Sequence, residues 1–156
     1  NAGMSTEQFE EFYYRACLID YSKMAEAMQP LQKLMERTDK VKIVAPDTEL
    51  TFSIKGVGAC ACSGRQNIPD GEVFTAPVRE TVNGTVRFNT LTKQNGRMFS
   101  NICLEVKDGK IFNAFHDGAA RDLIDVLGTD DGSRYFGEFA LGVNPFIKKA
   151  DGRYLV

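Results

Sequence analysis

The spacing of apolar residues changes once along this chain, near Lys40, and the change commits it to two kinds of secondary structure. Ahead of that point Phe9, Phe12, Tyr13, Ala16 and Cys17, and then Tyr21, Met24, Met28, Leu31, Leu34 and Met35, recur every three or four residues. Each set would lie along one side of a helix. Ser5-Thr-Glu-Gln8 forms a capping-box pattern ahead of the first helix. Pro30 lacks the N–H that a helix interior uses, which predicts a kink or a division in the second. The methionines along that helix read first as core packing and second as a partner-binding stripe. From Lys40 onward the period falls to two: Val41 and Ile43, then Leu50, Phe52 and Ile54, alternate with polar residues. That is the pattern of strands with one buried face.

Turn residues divide the rest. Pro46-Asp47 joins the first two strands as a hairpin, Gly56, Gly58 and Gly64 loosen the chain, and Pro69-Asp70-Gly71 makes a tight turn directly ahead of Glu72. On the strand that follows, Glu72, Phe74 and Ala76 share one face, with Val73 and Thr75 on the other. Asn83-Gly84 predicts a two-residue hairpin between Thr81-Val82 and Thr85-Val86. Asp108-Gly109 predicts another, between Ile102-Leu104-Val106 and Ile111 to Phe115. Asp117 is placed to cap a helix through Ala119, Ala120, Leu123, Ile124 and Leu127, closed by Gly128 as its C′ residue. The fold class is therefore α+β: N-terminal helices packed on a curved, largely antiparallel sheet, barrel-like if the curvature closes it, with one further helix. Residues 1–4 read as the remnant of a cleaved tag, and residues 5–156 as a single domain.

With 156 residues, 43% of them hydrophobic, the chain can bury an ordinary core. A net charge of −2 offers neither the basic field that nucleic acid requires nor a polybasic segment for a membrane surface. The sequence contains no apolar stretch of signal-peptide or membrane-spanning length, so the expected compartment is the cytoplasm. Cys17, Cys60, Cys62 and Cys103 are too few and too unevenly placed for a disulfide framework, and Cys60-Ala-Cys62 matches no standard zinc spacing. Reduced thiols are expected. His116, the single histidine, ends an apolar alternation and reads as a strand-end residue.

Two glutamates sit inside apolar runs: Glu72 in Asn67-Ile-Pro-Asp-Gly-Glu-Val-Phe-Thr-Ala-Pro77, and Glu138 in Tyr135-Phe-Gly-Glu-Phe-Ala-Leu-Gly-Val-Asn144. A carboxylate stripped of water there costs several kcal/mol unless a cation or hydrogen-bond donors replace the lost hydration. Strand alternation could instead turn either one to solvent, and a metal ion is the alternative. The segments Asn67 to Val78, Thr81-Val-Asn-Gly-Thr85 and Gly137-Glu-Phe-Ala-Leu-Gly-Val-Asn144 resemble, in order and spacing, the signature segments of the M29 metallo-aminopeptidases, from about Thr38 to about Pro145. The resemblance implies that Glu72 and Glu138 are ligands of a two-metal centre holding zinc, cobalt or manganese. The implied reaction is removal of N-terminal residues from peptides by metal-activated water, in an enzyme that is a homodimer. It also implies an additional α/β domain N-terminal to this segment.

Further ligands implied by the resemblance, two histidines, an aspartate and a tyrosine, would follow the second motif, whereas this sequence ends at Val156 and its only histidine precedes that motif. The chain therefore reads as part of a catalytic domain, with metal absent or weakly held and little activity of its own. No residue emerges as the general base. Two other classes remain open: a non-catalytic binding or assembly module that uses the sheet and the Met-rich helix as an interface, and a glycosidase-type carboxylate pair. The second ranks last, because the chain has no tryptophan to make a sugar platform.

Overall fold

The computed structural model describes residues 5–94 and 96–147. The proposed tag remnant and the last part of the domain lie outside the described residues. The capping box forms: Gln8 N–H donates to Ser5 Oγ, and Ser5 N–H donates to Gln8 Oε1. It starts α1 (Thr6–Cys17), of which only Ala16 is fully buried. Asp20 accepts from Lys23 N–H and opens α2 (Tyr21–Arg37). Of the kink or division expected at Pro30, the division does not occur: α2 runs through Pro30 as a single helix. Pro30 lies on the exposed side, so the carbonyl deprived of its N–H partner faces water, while Met24, Met28 and Met35 hold both halves to the core. Burial of those methionines also removes the stripe as an exposed interface.

The first five-stranded sheet has the order β1-β2-β5-β8-β9. Its strands are β1 (Lys40–Ala45), β2 (Thr48–Ser53), β5 (Asn83–Phe88), β8 (Ile102–Lys107) and β9 (Lys110–Phe115), all paired antiparallel. Between β2 and β5 the chain makes β3 (Cys60–Cys62) and β4 (Glu72–Thr75), and after β9 it makes α3 (Ala120–Leu127) and β10 (Phe139–Gly142). These strands form a second antiparallel sheet in the order β10-β4-β3. A small hairpin of β6 (Thr92–Gln94) and β7 (Arg97–Phe99), too short to leave a periodic signal, completes the set. The architecture is α+β, and its curvature stops short of a closed barrel.

Asp108 and Gly109, at φ 48° and 84°, make the expected turn between β8 and β9. Asn83-Gly84 does not. Both residues lie inside β5, where Gly84 pairs with Leu50 on one side and Val106 on the other. Gly84 is needed there for close approach: at φ 121°, a Cβ on it would stand 2.0 Å from the Glu49 carbonyl oxygen. Asn83 meanwhile accepts from Asp108 N–H and so braces the true turn. The Asp117 cap is a second correction. Its carboxylate accepts from Ser100 and Asn101, and Ala119 takes the N-cap position of α3 without a side-chain bond. Gly128 sits at the C-cap at φ −108°, so no left-handed residue is required there.

One core serves both sheets. Met24, Met28 and Met35 of α2 pack with Leu50 and Phe52 of β2, Val73 of β4, and Leu104 and Val106 of β8. Phe52 meets Phe139 of β10 edge-on, with ring centroids 5.1 Å apart, which joins the two sheets directly.

Candidate metal centre

The second sheet positions both glutamates, and the turn ahead of β4 fixes the first. The Asp70 carboxylate accepts from Gly64 N–H at 2.6 Å and from Gly71 N–H at 2.8 Å. Asn144, just past β10 and 7% exposed, donates from Nδ2 to Asp70 O at 2.8 Å and to Ala16 O at 3.2 Å. Its Oδ1 accepts from Phe146 N–H. Val143 N–H adds a bond to Gly71 O at 2.8 Å. The turn, the end of α1 and the end of β10 are thus bound at one buried amide. Gly71, at φ 124°, leaves no room for a side chain, since a Cβ would lie 2.9 Å from that of Asn144.

Along β4, Val73 and Thr75 are 0% and 4% exposed and face the core, which turns Glu72 and Phe74 to the opposite, half-exposed face. Glu72 pairs with Cys62 on β3 and with Gly142 on β10. Phe139 pairs with Thr75, so continuing the register one step sets Glu138, exposed and just ahead of β10, beside Ala76. Glu138 therefore lies on the same face as Glu72. Their proximity registers electrostatically: the Glu72 carboxyl is pushed above the usual carboxylate range by burial first, then by the charge of Glu138, then by that of Asp70. Across the strand the Cys62 thiol is pushed up to about 11, by burial and then by Asp70, Cys60 and Glu72.

Among the described residues neither Glu72 nor Glu138 makes an ion pair or a side-chain hydrogen bond. A divalent cation suits two such oxygen donors, but no group of three or more His, Cys, Asp or Glu among the described residues is arranged to hold one. All four cysteines are free, and Cys60 and Cys62 stay outside any such set. His116, at the end of β9, is occupied locally by Gly118 N–H and the Ala119 carbonyl. A groove of about 780 Å³ on the outer face of the five-stranded sheet is lined by Asp47, Arg87, Asn101, Phe115, His116 and Asp117 among others, and by neither glutamate. Its charged groups are satisfied internally, Arg87 by Asp47 and Asp117 by Ser100 and Asn101. Asp70 and Asn144 are the residues that sequence reasoning passed over. Both stood inside the quoted segments, yet nothing in their spacing announced that they meet.

An α+β domain that turns unpaired carboxylates to one face of a small antiparallel sheet has donor chemistry suited to a metal-dependent hydrolase. The chain belongs to the thermophilic metalloprotease family (M29), whose family model matches residues 1–151. It is similar to aminopeptidase 2 of Geobacillus stearothermophilus, with 41% identity over 48% of this chain and 18% of that protein. Aminopeptidase T of Thermus aquaticus is 34% identical over 66% of this chain and 28% of that protein. Among solved structures, wild-type AmpT from Thermus thermophilus superposes with a TM-score of 0.71 at 28% identity, covering 85% of this chain and 36% of that one. A dihydroxypyridine dioxygenase from Pseudomonas putida, at TM-score 0.69 and 15% identity, shares the fold. The chain thus spans less than a third of the length of these two curated relatives.

Proposed function

We propose that Glu72 and Glu138 are two ligands of a two-metal centre, and that this chain forms part of an aminopeptidase that removes N-terminal residues from peptides. The observation that carries the reading is the setting of Glu72: a carboxyl half-buried beside two further carboxylates and lacking a cationic partner among the described residues. A divalent cation on that face relieves the repulsion. Membership of a metalloprotease family and relatives named as aminopeptidases support the same conclusion.

When bound, divalent ions such as zinc, cobalt or manganese polarise a carbonyl and make water acidic enough to attack it at neutral pH. The chain's own residues hold and orient. Glu72 is fixed at the start of β4 by the Asp70 turn, and Glu138 stands at the head of β10. Between them in register lie Phe74 and Ala140, apolar side chains that keep local polarity low and strengthen the pull of the carboxylates on a cation. Two carboxylates alone make a weak, oxygen-only set. The chain by itself is therefore expected to bind metal weakly and to hydrolyse little peptide.

Calorimetric titration with cobalt tests the ligand assignment. Binding is expected in the unaltered chain and should be lost in both Glu72→Gln and Glu138→Gln, and undiminished binding in these variants would refute it. Leucine p-nitroanilide with added cobalt or zinc tests the second part, where sustained turnover by the purified chain would contradict its dependence on further ligands.

A further inference from the structure

We propose that Cys60 and Cys62 form a two-thiol site for one soft cation, copper(I) in character. Ala61 pairs with Val73 and packs against the core, so strand alternation turns Cys60 and Cys62 together to the opposite face of β3. Across the ladder Cys60 stands opposite Phe74, and Cys62 opposite Glu72. Both thiols are free, Cys60 exposed and Cys62 half-buried. The strand that carries them is anchored on both sides: α2 lies against it, Gln32 Nε2 donates to the Ala59 carbonyl at 2.9 Å, and Thr75 Oγ1 donates to the Gly58 carbonyl. The two sulfurs are therefore held at a fixed spacing.

That spacing decides what the pair can do. Residues two apart on a strand are separated by about 6.7 Å, and their side chains stand nearly parallel, whereas a disulfide needs Cβ atoms about 3.5–4.5 Å apart. A direct sulfur–sulfur bond would have to bend β3 away from β4. An ion between the sulfurs fills the gap instead: bonds of about 2.3 Å on opposite sides of it set the sulfurs about 4.6 Å apart, within reach of rotation about the two Cα–Cβ bonds. Cys60 already lies close enough to be among the groups acting on the Cys62 thiol.

The donors select the ion. Thiolate sulfur is soft and prefers copper(I) to the hard cations that carboxylates hold. Two sulfurs in line complete the coordination of a univalent copper ion, while structural zinc takes four ligands. Phe74 beside Cys60 adds an apolar flank, which disfavours a strongly hydrated ion. Binding replaces two S–H bonds with two copper–sulfur bonds and releases two protons, with no change of oxidation state. None of this depends on Glu72 and Glu138 being metal ligands.

The test uses the full 156-residue chain, reduced and kept free of oxygen, titrated with copper(I) against the coloured competitor bathocuproine disulfonate. The chain is expected to withdraw one copper ion from the competitor. Cys60→Ser and Cys62→Ser should each weaken that binding by about a hundredfold or more, and Cys17→Ser and Cys103→Ser should leave it unchanged. X-ray absorption at the copper edge should show sulfur ligands alone. If a serine variant does not fold, protection of Cys60 and Cys62 from N-ethylmaleimide by one equivalent of copper(I) in the unaltered chain carries the test. Undiminished binding by folded Cys60→Ser or Cys62→Ser, or loss of binding in the Cys17 or Cys103 variant, overturns the proposal. So does zinc that displaces the copper at equal concentration, or copper that sediments with a dimer and so bridges two chains. Ready formation of a Cys60–Cys62 disulfide with diamide would overturn the spacing argument on which it stands.

Discussion

At the scale of single residues, Glu72 carries a cost that the fold imposes on it. Its folded pKa is raised, so its carboxyl contributes stability that is fully present below the unfolded value and is lost as pH rises through the folded one. Metal-free Glu72→Gln is therefore expected to match the unaltered chain at about pH 4 and to melt at a higher temperature at about pH 7, as followed by thermal denaturation. A lower melting temperature at neutral pH would show that the carboxylate is compensated by some other group. Asn144 is the opposite case, a polar side chain whose donors are both used. Asn144→Ala leaves the Ala16 and Asp70 carbonyls without those donors in a buried place, and urea denaturation should register a loss of about 1–3 kcal/mol. The two glutamates were legible because a charge inside an apolar run stands out in any reading. Asn144 was not, since its partners lie 128 and 74 positions away.

At the scale of elements, the strongest short-range turn signal in the sequence misled and a matching one did not. Asn83-Gly84 and Asp108-Gly109 both supply residues tolerant of positive φ, but only the second has strands free to pair with each other across it. Gly84 answers a different need, the near contact of β5 with the Glu49 carbonyl. Gly84→Ala is expected to destabilise the chain by about 3 kcal/mol or more through the clash and the strained φ, detectable as a collapse of the denaturation midpoint. Changing Asp108 to Asn, which keeps the turn chemistry, should leave that midpoint within about 0.5 kcal/mol. The helices were readable from their period and caps, and the alternation along β4 correctly paired Glu72 with Phe74 on one face. The smaller sheet was less readable, because its short strands come from distant parts of the chain and β10 carries no alternation of its own.

At the scale of the whole molecule, the two sheets share α2 and the Phe52–Phe139 contact and are expected to unfold together. Calorimetry should show one transition, with calorimetric and van't Hoff enthalpies in agreement. Met28→Ala, at a residue 2% exposed in that common core, should lower stability by about 2–5 kcal/mol while keeping the transition single. Two separate transitions would mean that the sheets are independent bodies. The hydrogen bond from Asn144 back to Ala16 also sets an order of events during synthesis. A nascent polypeptide whose later portion is still inside the ribosome lacks the clamp, so the bend ahead of Glu72 is braced against the first helix only once translation has passed Asn144.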